Sequence, residues 1–267
     1  MPVTEQTAPA AGELLAAAKE VIGAAEAAGA TVRLLGGVAV FQLAPSAGRP
    51  PLARSYHDFD VFVPARQGAL AARVFREAGY DEDRHFNALH GAQRLIFASP
   101  RGFVVDVVVG TFRMCHELDL GRDLPGAGLT IHPADLLLTK LQIVQIEEKD
   151  LLDAVALLAD LPTDGAAGPA GPAGPTAVID VGRFVTPLAG DWGFYHTVEQ
   201  NLPKVVSFAR DRLGASGAQP VVDSGRRLID AMQAAPKSMR WKIRSRAGER
   251  VAWYELPEEP DHTAGSR

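Results

Sequence analysis

Two carboxylates on one face of a strand constrain this chain more than any other feature. The stretch His57–Val63, HDFDVFV, sits in what otherwise reads as a buried strand. Side chains alternate along a strand, so Asp58 and Asp60 share one face with Phe62, while Phe59, Val61 and Val63 take the other. Two same-face acids repel and are costly to desolvate. The fold must therefore leave them at an exposed edge or bring a cation to them. Hard divalent ions such as Mg²⁺ take oxygen ligands, and such a pair can hold one or two of them together with substrate phosphates. For this pair taken alone, a solvated face is the simpler account.

A second strand sharpens the choice. In FVVDVVVG, Asp106 is the one charged residue of an apolar run, where an isolated acid is expensive unless it is paired, hydrogen-bonded or metal-bound. If this strand neighbours the first in one sheet, three carboxylates converge as two-metal phosphoryl transfer requires; the plainer alternative is a strand-end acid that meets solvent. Upstream, TVRLL has strand character and runs into Gly36 and Gly37, after which VAVFQLA turns into a short helix. Glycines at such a turn allow positive φ and let backbone N–H groups approach an anion.

The 267 residues carry a net charge of −5 and are 47% hydrophobic, enough for a sizeable core. A single cysteine, Cys115, excludes an internal disulfide and a cysteine-based zinc site, and reads as a small core residue. The N-terminal stretch lacks the layout of a signal peptide and no apolar run approaches a membrane span, so the expected location is the cytoplasm, with no membrane partner. GELLAAAKEVIGAAEAAGA reads as a first helix closed near Gly29, QGALAARVFREAGY as another, and QRLIFA with FVVDVVVG as a hairpin around SPRG. ADLLLTKLQIVQI, with Pro133 at its start, and KDLLDAVALLADL are two more helical segments. Residues 162–176, PTDGAAGPAGPAGPT, are a low-complexity linker, too short for a collagen-like repeat. They divide residues 1–161 from a small C-terminal domain over 177–267, expected to be helical, with the basic segment KSMRWKIRSRAGERVAWYEL as a hairpin and a frayed tail after it.

The ordered set LLGGVAVF, RSYHDFDVFV, VVDVVVG and KLQIVQIEEKDLLDAVALL resembles the nucleotidyltransferase fold of the DNA polymerase β superfamily, and within it the bacterial AbiEii/MenT-like and related branches. The resemblance spans roughly residues 31–160. It implies an α/β (α+β) protein with a mixed β-sheet flanked by helices, Gly36 and Gly37 touching a triphosphate, and Asp58, Asp60 and Asp106 coordinating Mg²⁺ or Mn²⁺. Asp106 would also draw the proton from an acceptor hydroxyl. The chain departs from the commonest Gly-Ser form by carrying Gly-Gly and a long insert before the acids. Arg54 and Ser55 precede the acids as in the AbiEii-like pattern, and Ser55 is a candidate to supply the missing hydroxyl to the phosphate.

Lys140 lies on the apolar stripe of its helix, between Leu137 and Val144, with Asp135, Thr139 and Gln142 on a different face. It either reaches a phosphate along its aliphatic stem, as the resemblance implies, or snorkels at the stripe's edge. Asp150, Asp153 and Asp160 share a face that looks solvated, and the resemblance makes Asp153 the candidate to orient Lys140 or an arginine. His57 adjoins the acids and reads as a strand-edge histidine; His85, His90, His116 and His132 lack ligand spacing. Trp192, Phe194 and Tyr195 read as core. Arg240, Lys242, Arg244, Arg246 and Arg250 form an exposed basic hairpin or a surface that tracks RNA phosphates. The expected activity is transfer of a nucleoside monophosphate from an NTP to an RNA, protein or small-molecule hydroxyl. A toxin with a cognate antitoxin partner is the form the resemblance implies. The alternative is a catalytically inactive nucleotide- or RNA-binding module.

Overall fold

Leu14, Ala17, Ala18, Val21, Ile22 and Ala25 recur at helical spacing and are the buried face of α1, Ala11–Ala27. In the computed structural model, which describes residues 9–122, 124, 128–163 and 177–256, the chain leaves α1 through Gly29 at φ +83°, a left-handed turn that glycine adopts without strain. The next elements are β1 (Arg33–Leu35), α2 (Gly36–Leu43), β2 (Asp58–Val63), α3 (Gly68–Glu77), β3 (Asp81–Glu82), α4 (Arg84–His90), β4 (Arg94–Ala98) and β5 (Val104–Val109). No loop separates β1 from α2, so the Gly-Gly pair is itself the strand-to-helix turn.

The five strands form one mixed sheet in the order β1-β2-β5-β4-β3. β2 and β5 run parallel, and the other neighbouring pairs are antiparallel. This is the α/β architecture the sequence predicts, including the hairpin of β4 and β5. Phe59, Val61 and Val63 of β2 and Val105, Val107 and Val109 of β5 are buried, so the odd-numbered positions of both strands build the core and the even-numbered positions carry the acids. A two-stranded sheet of β6 (Phe112–Arg113) and β7 (Glu117–Leu118) follows.

Two helices complete the part ahead of the Pro/Gly/Ala segment: α5 (Pro133–Leu141), with Pro133 in its first turn, and α6 (Glu148–Asp160). Of that segment, residues 164–176 lie outside the described residues, as do 1–8 and 257–267. Beyond it run α7 (Val181–Gly190), α8 (Trp192–Gly217), α9 (Gln219–Ala234) and α10 (Met239–Ala247). From these helices Phe184, Leu188, Phe194, Val198, Leu202 and Leu228 join the same apolar cluster as the sheet and α5–α6. Asn201 of α8 donates to the carbonyls of Leu141 and Ile143 at 2.9 and 2.8 Å, satisfying acceptors that the end of α5 leaves open.

The expected basic hairpin is a helix. Ser238 caps α10 by accepting from the Trp241 N–H at 3.1 Å, and the Trp241 ring meets Tyr195 edge-on at 5.4 Å. Cation spacing in this segment mimics strand alternation, whereas the cap and the Trp241 contact stabilise a helix. Among the described residues no helix is long and apolar enough to cross a membrane.

Candidate functional site

The acids occupy the central pair of strands. Asp60 and Asp106 are direct partners across the parallel β2–β5 ladder, which sets adjacent strands about 4.8 Å apart. Asp58 lies two residues back on the same face and is exposed. Burial pushes the Asp60 carboxyl up to about 8, with the Asp106 and Asp58 charges adding to the effect. Asp106 already has a partner: Arg94 Nε stands 2.9 Å from each of its two carboxylate oxygens, and Nη2 is 2.5 Å from Oδ2.

Gly36 and Gly37 are wedged between these acids and a second cluster. A Cβ on Gly36, whose φ is +69°, would stand 1.9 Å from Asp60 Oδ2. A Cβ on Gly37 would stand 2.0 Å from Arg54 Nη2 and 2.9 Å from Tyr56 Cε1. Neither position has room for a side chain.

On the far side of the glycines, Arg54 forks onto Asp153, Nε to Oδ1 at 2.8 Å and Nη2 to Oδ2 at 2.9 Å. Lys140 Nζ reaches the same carboxylate at 2.9 Å and Asp150 at 3.4 Å. Asp153 is 1% exposed. Its burial favours protonation, but Lys140 and Arg54 outweigh that and hold it below the usual carboxylate range. Burial likewise disfavours the Lys140 ammonium, and Asp153 and Asp150 more than compensate, raising its pKa. The Arg54 guanidinium lies 4.2 Å over the Tyr56 ring. Burial and the nearby Asp153 charge push the Tyr56 hydroxyl up to about 12, and that hydroxyl has no hydrogen-bond partner among the described residues.

Several expectations change here. Asp150 and Asp153 are buried rather than on a solvated face, because α6 turns them toward Arg54 and Lys140. Asp160 accepts from the Ser46 N–H at 2.7 Å. Asp135, Thr139 and Gln142 are also buried, covered as α7 and α8 pack on α5. Asp135 takes Arg183 Nε at 2.8 Å, and Gln142 accepts from the His116 N–H at 3.0 Å. Ser55 is exposed, with its carbonyl accepting from Arg54 Nη1 at 3.1 Å. The residues flanking it, Arg54 and Tyr56, are the ones that crowd Gly37. Asp58, Asp60 and Asp106 share a face but do not converge as they stand. Among the described residues no group of three or more Asp, Glu, His or Cys side chains is gathered to hold a metal ion, and Arg94 occupies both oxygens of Asp106.

The donor chemistry nonetheless fits a hard divalent ion. Hard carboxylate oxygens face one another across a single strand gap, and their mutual repulsion, which adds to burial in lifting Asp60, is what a dication relieves. Arg94 went unnoticed in the sequence, although it is the one charged residue of RLIFA, just as Asp106 is in its own strand. A surface depression of ≈ 600 Å³ lined by Lys19, Glu26, Thr31 and Arg33 contains none of these residues.

No protein-family model and no curated protein matches the sequence. Among solved structures the chain is similar to the crystal structure of an antigenic nucleotidyltransferase-like protein from Paracoccidioides brasiliensis. The identity is 13%, with 85% of this chain and 94% of that chain covered and a TM-score of 0.38. A superposition this loose says nothing about chemistry.

Proposed function

We propose that the chain is a nucleotidyltransferase of the DNA polymerase β type, moving a nucleoside monophosphate from an NTP to an acceptor hydroxyl and releasing pyrophosphate. The observation that carries this reading is the Gly36–Gly37 turn, closed to any side chain by Asp60 on one side and Arg54 on the other. The turn opens α2, whose first N–H groups have no intrahelical acceptor and suit a phosphate. Lys140 and Arg54, held in place by Asp153, supply positive charge for the triphosphate. Asp58, Asp60 and Asp106 would hold Mg²⁺ or Mn²⁺, whose chemistry when bound is stabilisation of charge on the phosphoryl oxygens. In the transfer, the acceptor oxygen bonds to the α-phosphorus as the bond from that phosphorus to the bridging oxygen breaks. The acceptor proton passes to an Asp106 carboxylate oxygen.

The Arg94–Asp106 ion pair favours a second reading, a catalytically silent nucleotide- or RNA-binding module, since it neutralises the acid needed as base. Each of the four α-³²P NTPs, incubated with the protein and Mg²⁺ or Mn²⁺, separates the two when total RNA, total protein and a small-molecule extract are offered as acceptors. Label entering one fraction and disappearing in Asp60→Asn supports transfer and names the acceptor class. Nucleotide binding that persists in Asp60→Asn, with no label in any fraction, overturns it in favour of the silent module.

A further inference from the structure

On β4, Arg94 pairs in register with Val108 and Ile96 with Asp106, so Arg94 is the diagonal neighbour of Asp106 on the adjacent antiparallel strand, within reach of a long side chain. Its planar fork matches the carboxylate and takes both oxygens. The guanidinium lies 5.8 Å from the Phe86 ring centroid on α4. That helix is fastened to β4 by Asn87, which accepts from the Ile96 N–H at 2.8 Å and donates to the Ile96 carbonyl at 3.2 Å. Arg94 is thus held against Asp106 from the strand beside β5, and with 38% of its side chain exposed it has solvent to move into.

The lone pairs that Arg94 engages are those a metal ion would need. Resting on the reading of Asp60 and Asp106 as metal-binding acids, we propose that Arg94 is a resident counter-cation of the acidic face, and that a divalent ion binds fully only by displacing it from Asp106. Arg94 is then a positioning residue: it holds the Asp106 carboxylate in place beforehand through both oxygens, and its release accompanies metal entry. Because two ligands that compete for one site weaken each other reciprocally, removing the guanidinium tightens metal binding. A purely structural strand residue would do the opposite.

The experiment is titration of the full-length protein with Mn²⁺ alone, followed by the loss of the free-ion electron spin resonance signal, in wild type, Arg94→Gln, Arg94→Lys and Asp60→Asn, with matched far-UV spectra. The expected result is Mn²⁺ affinity on the order of tenfold higher in Arg94→Gln, the scale of one charge-assisted hydrogen-bonded pair. Arg94→Lys, which keeps the charge, stays near wild type, and Asp60→Asn binds more weakly than wild type. Equal affinities in wild type and Arg94→Gln, with Asp60→Asn weakened, leave the metal site standing and overturn the role of Arg94. Mn²⁺ binding that is absent throughout, or unaffected by Asp60→Asn, removes the metal reading and this inference with it.

Discussion

At the scale of single residues, the site turns on two glycines that do different work. Gly36 needs its positive φ and its missing Cβ together, because a methyl there meets Asp60 at 1.9 Å. Gly36→Ala is expected to lose ~1–3 kcal/mol of stability in urea unfolding through backbone strain and the displaced carboxylate, and ATP binding with it. Gly37 has an ordinary φ, and its nearest obstacle is the far end of the Arg54 side chain, which can swing away. Gly37→Ala must also move the Tyr56 ring, 2.9 Å from that Cβ, and it lifts Arg54 off the buried Asp153, so it is expected to cost ~1–3 kcal/mol and to weaken ATP binding. Matched stability losses in the two variants with ATP affinity unchanged would reduce the pair to a turn. His116 gives a pH handle. Burial lowers it from 6.5 to about 4, in a pocket where it stacks on Phe194 at 5.1 Å and pairs with Thr197 Oγ1 at 2.9 Å. A depressed folded-state pKa means that stability is full above about 6.5 and falls as pH drops toward 4, since the unfolded chain takes the proton first. Between pH 7 and pH 5 His116 is expected to remove about 2 kcal/mol, seen as a pH dependence of urea unfolding that His116→Gln flattens.

At the scale of elements, the strands and the glycine turn were legible in the sequence because local period and turn chemistry determine them. Alternation in DFDVFV places Asp58 and Asp60 on one face, and the apolar run VVDVVV singles out Asp106 as the one acid of its strand. The basic segment was misread for the same reason: cations at alternate positions suit a strand face, yet a helix cap one residue upstream is a stronger local signal. Ser238 at that cap accepts from the Trp241 N–H, and its replacement by alanine should cost α10 about 1 kcal/mol. Hydrogen exchange would show the loss as weakened protection confined to 239–247. Unchanged protection there would mean that the Trp241–Tyr195 contact alone holds the helix. The buried acids of α6 were invisible for a different reason. Asp150 and Asp153 carry the helical spacing of a solvated face, and only Lys140 from the neighbouring helix and, for Asp153, Arg54 from 99 residues away in the chain make burial tolerable.

At the scale of the whole molecule, the Pro/Gly/Ala segment separates the chain without separating the core. Apolar side chains of every helix from α1 to α9 except α4 belong to one cluster or pack against it, and α8 closes the end of α5 through Asn201. The helix bearing Lys140 is thus buttressed by residues beyond that segment. All three tryptophans, Trp192, Trp241 and Trp253, lie past it. Tryptophan fluorescence therefore follows the C-terminal helices, while far-UV circular dichroism follows the whole chain. Heating is expected to give coincident transitions by the two probes, as one cooperative unit requires. An earlier fluorescence transition would make the C-terminal helices a unit of their own.

Local patterning by itself determined that this chain folds as alternating helices and strands, that a glycine pair joins a strand to a helix, and that Asp58 and Asp60 face one way. Those properties follow from periods of two and 3.6 and from φ, which are settled within a few residues. Which charge answers which acid was decided by tertiary structure alone. Asp106 could be claimed by a metal, a solvent molecule or an arginine, and it is the antiparallel docking of β4 beside β5 that puts Arg94 within reach. Asp153 could face water or the core, and it is the packing of α6 under the insert that gives it Arg54 and Lys140. Ion pairs across long sequence separations depend on which elements become neighbours, and no local period carries that information.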